Sequence, residues 1–105
     1  MEETRISVVK PAGYDTSFII FENGNNKISI VKPYATSKFI DDFNEFLYNE
    51  KPWEDDGFIL TIKDNILCFD LDHVGECCVI ESFTALIYFQ FTDANKQELL
   101  EIISS

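Results

Sequence analysis

Hydrophobic positions along the chain repeat first every second residue, then with helical spacing, then every second residue again, and a last helical stretch closes the sequence. Arg5 to Lys10 (Arg-Ile-Ser-Val-Val-Lys) reads as a short strand ending at Pro11, with Ala12-Gly13 as a loop. Ser17 to Glu22 and Lys27 to Lys32 flank Asn23-Gly24-Asn25-Asn26. Centring the turn on Gly24-Asn25 pairs Glu22 with Lys27, Phe21 with Ile28 and Ile19 with Ile30. That register sets an opposite-charge pair beside the turn and gathers the large apolar side chains on one face.

Pro33 ends that strand, and Thr36 or Ser37 can cap a following helix, although no Glu or Gln stands three residues on to complete a capping box. Phe39, Ile40, Phe43, Phe46 and Leu47 fall on one stripe of this helix, and Asp41, Asn44, Glu45 and Tyr48 fall opposite. Lys51-Pro52 stops it. The segment Pro52-Trp53-Glu54-Asp55-Asp56-Gly57 reads as a loop that places three adjacent acids beside the only tryptophan.

A second hairpin runs from Phe58 to Lys63 and back from Ile66 to Asp72 around Asp64-Asn65. A two-residue loop pairs Ile62 with Leu67, Leu60 with Phe69 and Phe58 with Leu71, all on one face. The other face carries Ile59, Thr61 and Lys63 against Ile66, Cys68 and Asp70, a mixed set that predicts only partial cover. Beyond the irregular stretch Asp72 to Glu76, the run from Cys77 to Thr92 reads as a long central strand. Phe83, Ala85, Ile87, Phe89 and Phe91 there alternate with Thr84, Leu86, Tyr88 and Gln90, and a bend near Ser82 can split the run. Thr92 or Asp93 caps a last helix from Ala94 to Ile103, with Leu99, Leu100 and Ile103 inward. The expectation is a single α+β domain over residues 1–105: a mostly antiparallel sheet of five or six strands with two helices packed on it.

Charge is distributed unevenly over this pattern. Residues 1–40 hold four acids and five bases, and residues 41–105 hold fifteen acids and three bases, so the net charge of −11 arises in the second part. With 46% hydrophobic and 14% aromatic residues the chain can bury a core, so it is not a solvated acidic tail. The acids must ride on a folded surface, where they repel one another. A pI near 4.2 argues against direct binding of nucleic acid or of an anionic membrane, and it favours a basic partner. No segment has the length of a membrane span, and the start Met-Glu-Glu-Thr-Arg lacks a secretion-signal layout, so the expected location is the cytoplasm. Cys68, Cys77 and Cys78 are odd in number and two are adjacent, which reads as reduced thiols.

Catalytic chemistry finds little footing. No GxxxxGK[ST], GxGxxG, HExxH or GxSxG occurs, and the pairs Asp41-Asp42 and Asp70-Leu71-Asp72 read as solvated carboxylates. Cys68, Asp70, Asp72, His73, Cys77 and Cys78 are of metal-ligand type, but there is no C-x-x-C and no second histidine. A Cys-His nucleophile pair drawn from them lacks an orienting group and an oxyanion site. The reading is therefore a binding protein, not an enzyme, with no cofactor and no metal.

Asp41, Glu45 and Tyr48 on the wet side of the first helix, with Trp53, Glu54, Asp55 and Asp56 just beyond it, form the candidate contact surface. Asp70 and Asp72 extend it if the second hairpin lies beside the helix. Trp and Tyr are common anchors of protein interfaces, and a negative surface speeds encounter with a basic partner. Through Asp41-Asp42-Phe43-Asn44-Glu45-Phe46 and Trp53-Glu54-Asp55-Asp56, and in size and charge, the chain resembles the immunity proteins of bacterial contact-dependent growth inhibition, a class of polymorphic toxin system. The resemblance implies an inhibitor that binds and neutralises a cognate toxin domain, a basic protein and by the same token a nuclease. Two rivals share parts of the pattern: a phage-type nucleic-acid mimic that inhibits a host nuclease, and a small metal-dependent hydrolase built on Asp70, Asp72, His73 and Cys77.

Overall fold

Both hairpins form in the expected registers. The computed structural model describes residues 3–24, 26–55, 58–70, 78–80 and 86–105. The first hairpin joins β2 (Phe18–Glu22) to β3 (Lys27–Val31), with Glu22 opposite Lys27, Phe21 opposite Ile28 and Ile19 opposite Ile30. Its loop closes where Asn23 N–H donates to the Asn26 carbonyl at 3.0 Å and Asn26 N–H donates to Asn23 Oδ1 at 2.8 Å. β1 (Arg5–Val9) pairs with the outer side of β2, where Arg5 and Glu22 form an ion pair at 3.4 Å.

The second hairpin joins β5 (Phe58–Lys63) to β6 (Ile66–Asp70), and its two loop residues, Asp64 and Asn65, both take positive φ, at 52° and 61°. Two left-handed residues match the twist of the flanking strands, and Asp and Asn tolerate that region better than most side chains. The expected partner of Phe58, Leu71, lies outside the described residues.

Between the hairpins α1 spans Ser37–Tyr48, with Thr36 as its N-cap: the Thr36 hydroxyl accepts from Phe39 N–H at 3.1 Å. Phe43, Phe46 and Leu47 are buried, as the stripe requires. α2 spans Asp93–Ser104. Thr92 caps it through a reciprocal pair, Thr92 Oγ1 accepting from Asn95 N–H at 3.2 Å and Asn95 Oδ1 accepting from Thr92 N–H at 3.0 Å. Leu99 and Ile103 are fully buried and Leu100 is half-buried against them.

Three expectations change. First, the strands do not form one sheet of five or six. Among the described residues they make two antiparallel sheets of four, β1-β2-β3-β7 and β4-β5-β6-β8, with β4 at Trp53–Asp55, β7 at Cys78–Ile80 and β8 at Leu86–Gln90. Facing two sheets together buries both apolar faces, whereas one wide sheet would rely on two short helices to cover it. Phe21 of the first sheet meets Phe69 and Phe89 of the second with ring centroids 5.2 and 6.3 Å apart.

Second, the apolar run after Cys77 is not a central strand. It supplies β7 and β8 to different sheets, each at an edge of its strand order. Ile87, Phe89 and Phe91 point inward as expected, while Phe83, Ala85 and the bend at Ser82 lie outside the described residues. Third, Trp53 to Asp55 is a strand, not a loop, paired with β5 through Trp53–Leu60, Glu54–Ile59 and Asp55–Phe58.

The helices do not share one sheet face either: α1 lies against α2 and β5, and α2 lies along β1. One contiguous core runs through both sheets and both helices, and the radius of gyration of 12.9 Å matches the ~13 Å of a single domain of this length.

Candidate functional site

The helix layer carries the acidic surface. Because α1 buries its phenylalanine stripe, Asp41, Asp42, Glu45 and Tyr48 are left exposed, Tyr48 at 50%. Tyr34, 92% exposed, stands two residues before the Thr36 cap in the segment that leads into the helix. α2 packs on α1 and adds the exposed acids Asp93, Glu98 and Glu101.

Against these six carboxylates the two helices set only Lys38 and Lys96. The Lys96 side chain is 14% exposed and paired with Asp93 at 3.6 Å, which leaves Lys38 as the one exposed lysine of the two helices. Glu45 is held in place by Asn49, whose side-chain amide donates to Glu45 Oε2 at 2.9 Å. Glu50, next after the C-cap of α1, sits at φ 55°, a left-handed position usually given to glycine. By contrast β1 to β3 carry Arg5 and Lys27 with Glu22, so the charge asymmetry of the sequence becomes an asymmetry between layers.

Trp53 is not a surface anchor. Its ring is wrapped by Phe39, Phe43 and Phe46 of α1 at centroid distances of 5.8, 5.1 and 5.8 Å, and it packs against the core. In a strand, neighbouring side chains point to opposite faces. With Trp53 turned toward α1, the exposed Glu54 points away from it. Asp70 shares the Glu54 side of the sheet through the register Glu54–Ile59–Asp70.

Among the described residues, the expected contact residues therefore divide between two faces. Asp41, Glu45 and Tyr48 belong to the helix layer, and Glu54 and Asp70 to the far face of β4-β5-β6-β8. The backbone of Asp55 lies in β4 opposite Phe58, and Asp56 and Asp72 lie outside the described residues. The acids of α2 were absent from the expected set because helix periodicity says which residues are wet, not which helices are neighbours. Tyr34 was missed because a lone aromatic in a connecting segment has no periodic partner to reveal its exposure.

On the far face Cys68 is a free thiol beside Thr61 and Tyr88. Burial, with the Asp70 carboxylate adding to it, pushes its pKa above the usual thiol value, and hydrogen bonding with Tyr88 and Thr61 offsets this only in part. A thiol kept protonated is a weak nucleophile and a poor metal ligand. Among the described residues no group of three or more His, Cys, Asp or Glu is placed to hold a metal ion; His73 and Cys77 fall outside them. Among the same residues no helix is long and apolar enough to cross a membrane.

A cavity of about 510 Å³ lies between β1 and the start of α2 and is lined by Thr4, Arg5, Glu22, Asn95 and Glu98 among others. Its polar groups are already engaged in part: Asn95 donates to the Thr4 carbonyl at 3.2 Å, and Arg5 pairs with Glu22. No family model, curated protein or solved structure matches the chain.

Proposed function

We propose that this protein is an immunity protein: a cytoplasmic inhibitor that binds a cognate toxin domain without chemistry of its own and neutralises it. The toxin is a basic protein, consistent with a nuclease, whose substrate-binding surface is cationic because its substrate is a polyanion. The observation that carries the reading is the helix layer, where six carboxylates on α1 and α2 face solvent against one exposed lysine and one that is largely buried and paired. Such a surface attracts a basic partner from a distance and raises the association rate steeply at low salt. Tyr34 and Tyr48 supply aromatic contact area once the partner has docked.

The test is association with the toxin domain encoded immediately upstream, measured by stopped-flow or surface plasmon resonance at low and at high salt. Asp41→Lys combined with Glu45→Lys should leave the circular dichroism spectrum intact and slow association by about tenfold or more at low salt, a difference that shrinks as salt is added. An unchanged association rate would refute the helix layer as the contact.

A further inference from the structure

The outer face of β4-β5-β6-β8 has no role in that reading, yet it collects Ile59, Leu86 and Tyr88 at 39%, 43% and 47% exposure. Its side chains lie in three register rows. The first is Glu54–Ile59–Asp70–Leu86, the second Thr61–Cys68–Tyr88, and the third Lys63–Ile66–Gln90. They point away from Leu60, Ile62, Leu67, Phe69, Ile87 and Phe89, which are buried beneath.

Charge on this face is ordered. Among the described residues, carboxylates occur only in the first row and the single cation only in the third, while the middle row is Thr61, Cys68 and Tyr88, with burial pushing the Cys68 thiol up. A half-turn about an axis running along the middle row therefore brings the first row of one copy over the third row of another. Lys63 then lies above Ile59 and between the two carboxylates, its aliphatic stem covering the apolar side chain while its ammonium reaches the acids. The same half-turn brings Tyr88 onto its own counterpart.

We propose that this face is the contact between two copies of the chain, paired through a two-fold axis along Thr61–Cys68–Tyr88, with Lys63 of each copy set between Glu54 and Asp70 of the other. A symmetric contact needs a surface complementary to itself, and this face satisfies that need in the order of its charged rows, with Tyr88 of the middle row meeting its own counterpart. It is also where copies of a chain carrying −11 approach with less repulsion, because among the described residues the face holds two acids and one base where the helix layer holds six and two. The face measures roughly 15 Å across the strands and about 17 Å along them, from the usual strand spacing and rise. That falls well below the ~800 Å² per partner of a standard interface, so the dimer is a weak one.

Sedimentation velocity on the whole chain from about 10 μM to about 1 mM in roughly 0.15 M salt, where the Debye length is ~8 Å, reads this directly. The expected result is a monomer–dimer equilibrium, with the dimer growing as the concentration rises. Tyr88→Lys should weaken it by about tenfold or more. Lys63→Glu and Glu54→Lys should each weaken it severalfold, and the two together should restore it to within about threefold of the original, which a merely structural role for either residue would not produce. A monomer at every concentration overturns the proposal, including one whose toxin binding is lost on Tyr88→Lys, which would give the face to that partner. So does a dimer untouched by Tyr88→Lys, or a double charge reversal no tighter than the single ones. The helix-layer variants of the preceding section lie on other elements, so the two proposals fail separately.

Discussion

Trp53 stands among acids yet packs, half-buried, against the core, because a strand turns each residue to the face opposite its neighbours. Three phenylalanine rings surround it, and each such contact adds about 0.5–1.5 kcal/mol to the area it buries. Trp53→Ala should therefore cost about 3 kcal/mol of stability in urea denaturation, in the range of large aromatic truncations. A loss below ~1 kcal/mol would mean that the ring does not tie α1 to β4. The sequence misleads here for a definite reason. Pro52, Glu54, Asp55 and Asp56 around the ring all favour a loop, and the short pairing with β5 that turns it inward is a tertiary contact. Tyr48 was read more securely, since its place opposite the phenylalanine stripe already fixes its exposure.

The elements most legible in advance were the hairpins and helices, where local rules suffice. The first hairpin carries an Asn-rich turn and an opposite-charge pair, and the second carries two residues that accept left-handed geometry, so each register followed from neighbours in sequence. α2 adds something the period does not show. Asn95 completes the capping box of Thr92 and, nearly buried, also donates to the Thr4 carbonyl, joining the helix start to the entry of β1. Thr92→Ala should lower stability by about 1 kcal/mol, the usual value of an N-cap. Asn95→Leu should cost more, about 2–3 kcal/mol, because it removes the reciprocal bond and leaves the Thr4 carbonyl without this donor. Urea midpoints in that order are expected; equal losses would show that the bond to Thr4 adds nothing.

The whole molecule carries its acids in layers. β1 to β3 are close to neutral, the helix layer is strongly acidic, and the outer face of β4-β5-β6-β8 is apolar with few charges. Crowded carboxylates repel and weaken the compact state. Going from about 0.01 M to about 1 M sodium chloride shortens the Debye length from roughly 30 Å to about 3 Å, so the thermal midpoint followed by circular dichroism should rise with salt. A midpoint that falls would mean that favourable ion pairs such as Arg5–Glu22 outweigh the repulsion.

Sequence alone determined the periods, both hairpin registers and the partition of charge, and narrowed each helix cap to two adjacent residues, because each of these depends on residues close together in the chain. Only the tertiary structure decided that the strands divide into two facing sheets, that the last apolar run feeds both of them, and that α2 packs on α1. These depend on which apolar faces find each other. Phe21 could pack on any large apolar neighbour, and its choice of Phe69 and Phe89 is a property of the assembled core. The same choice turned Glu54 and Asp70 away from the helices and divided one expected patch into two surfaces.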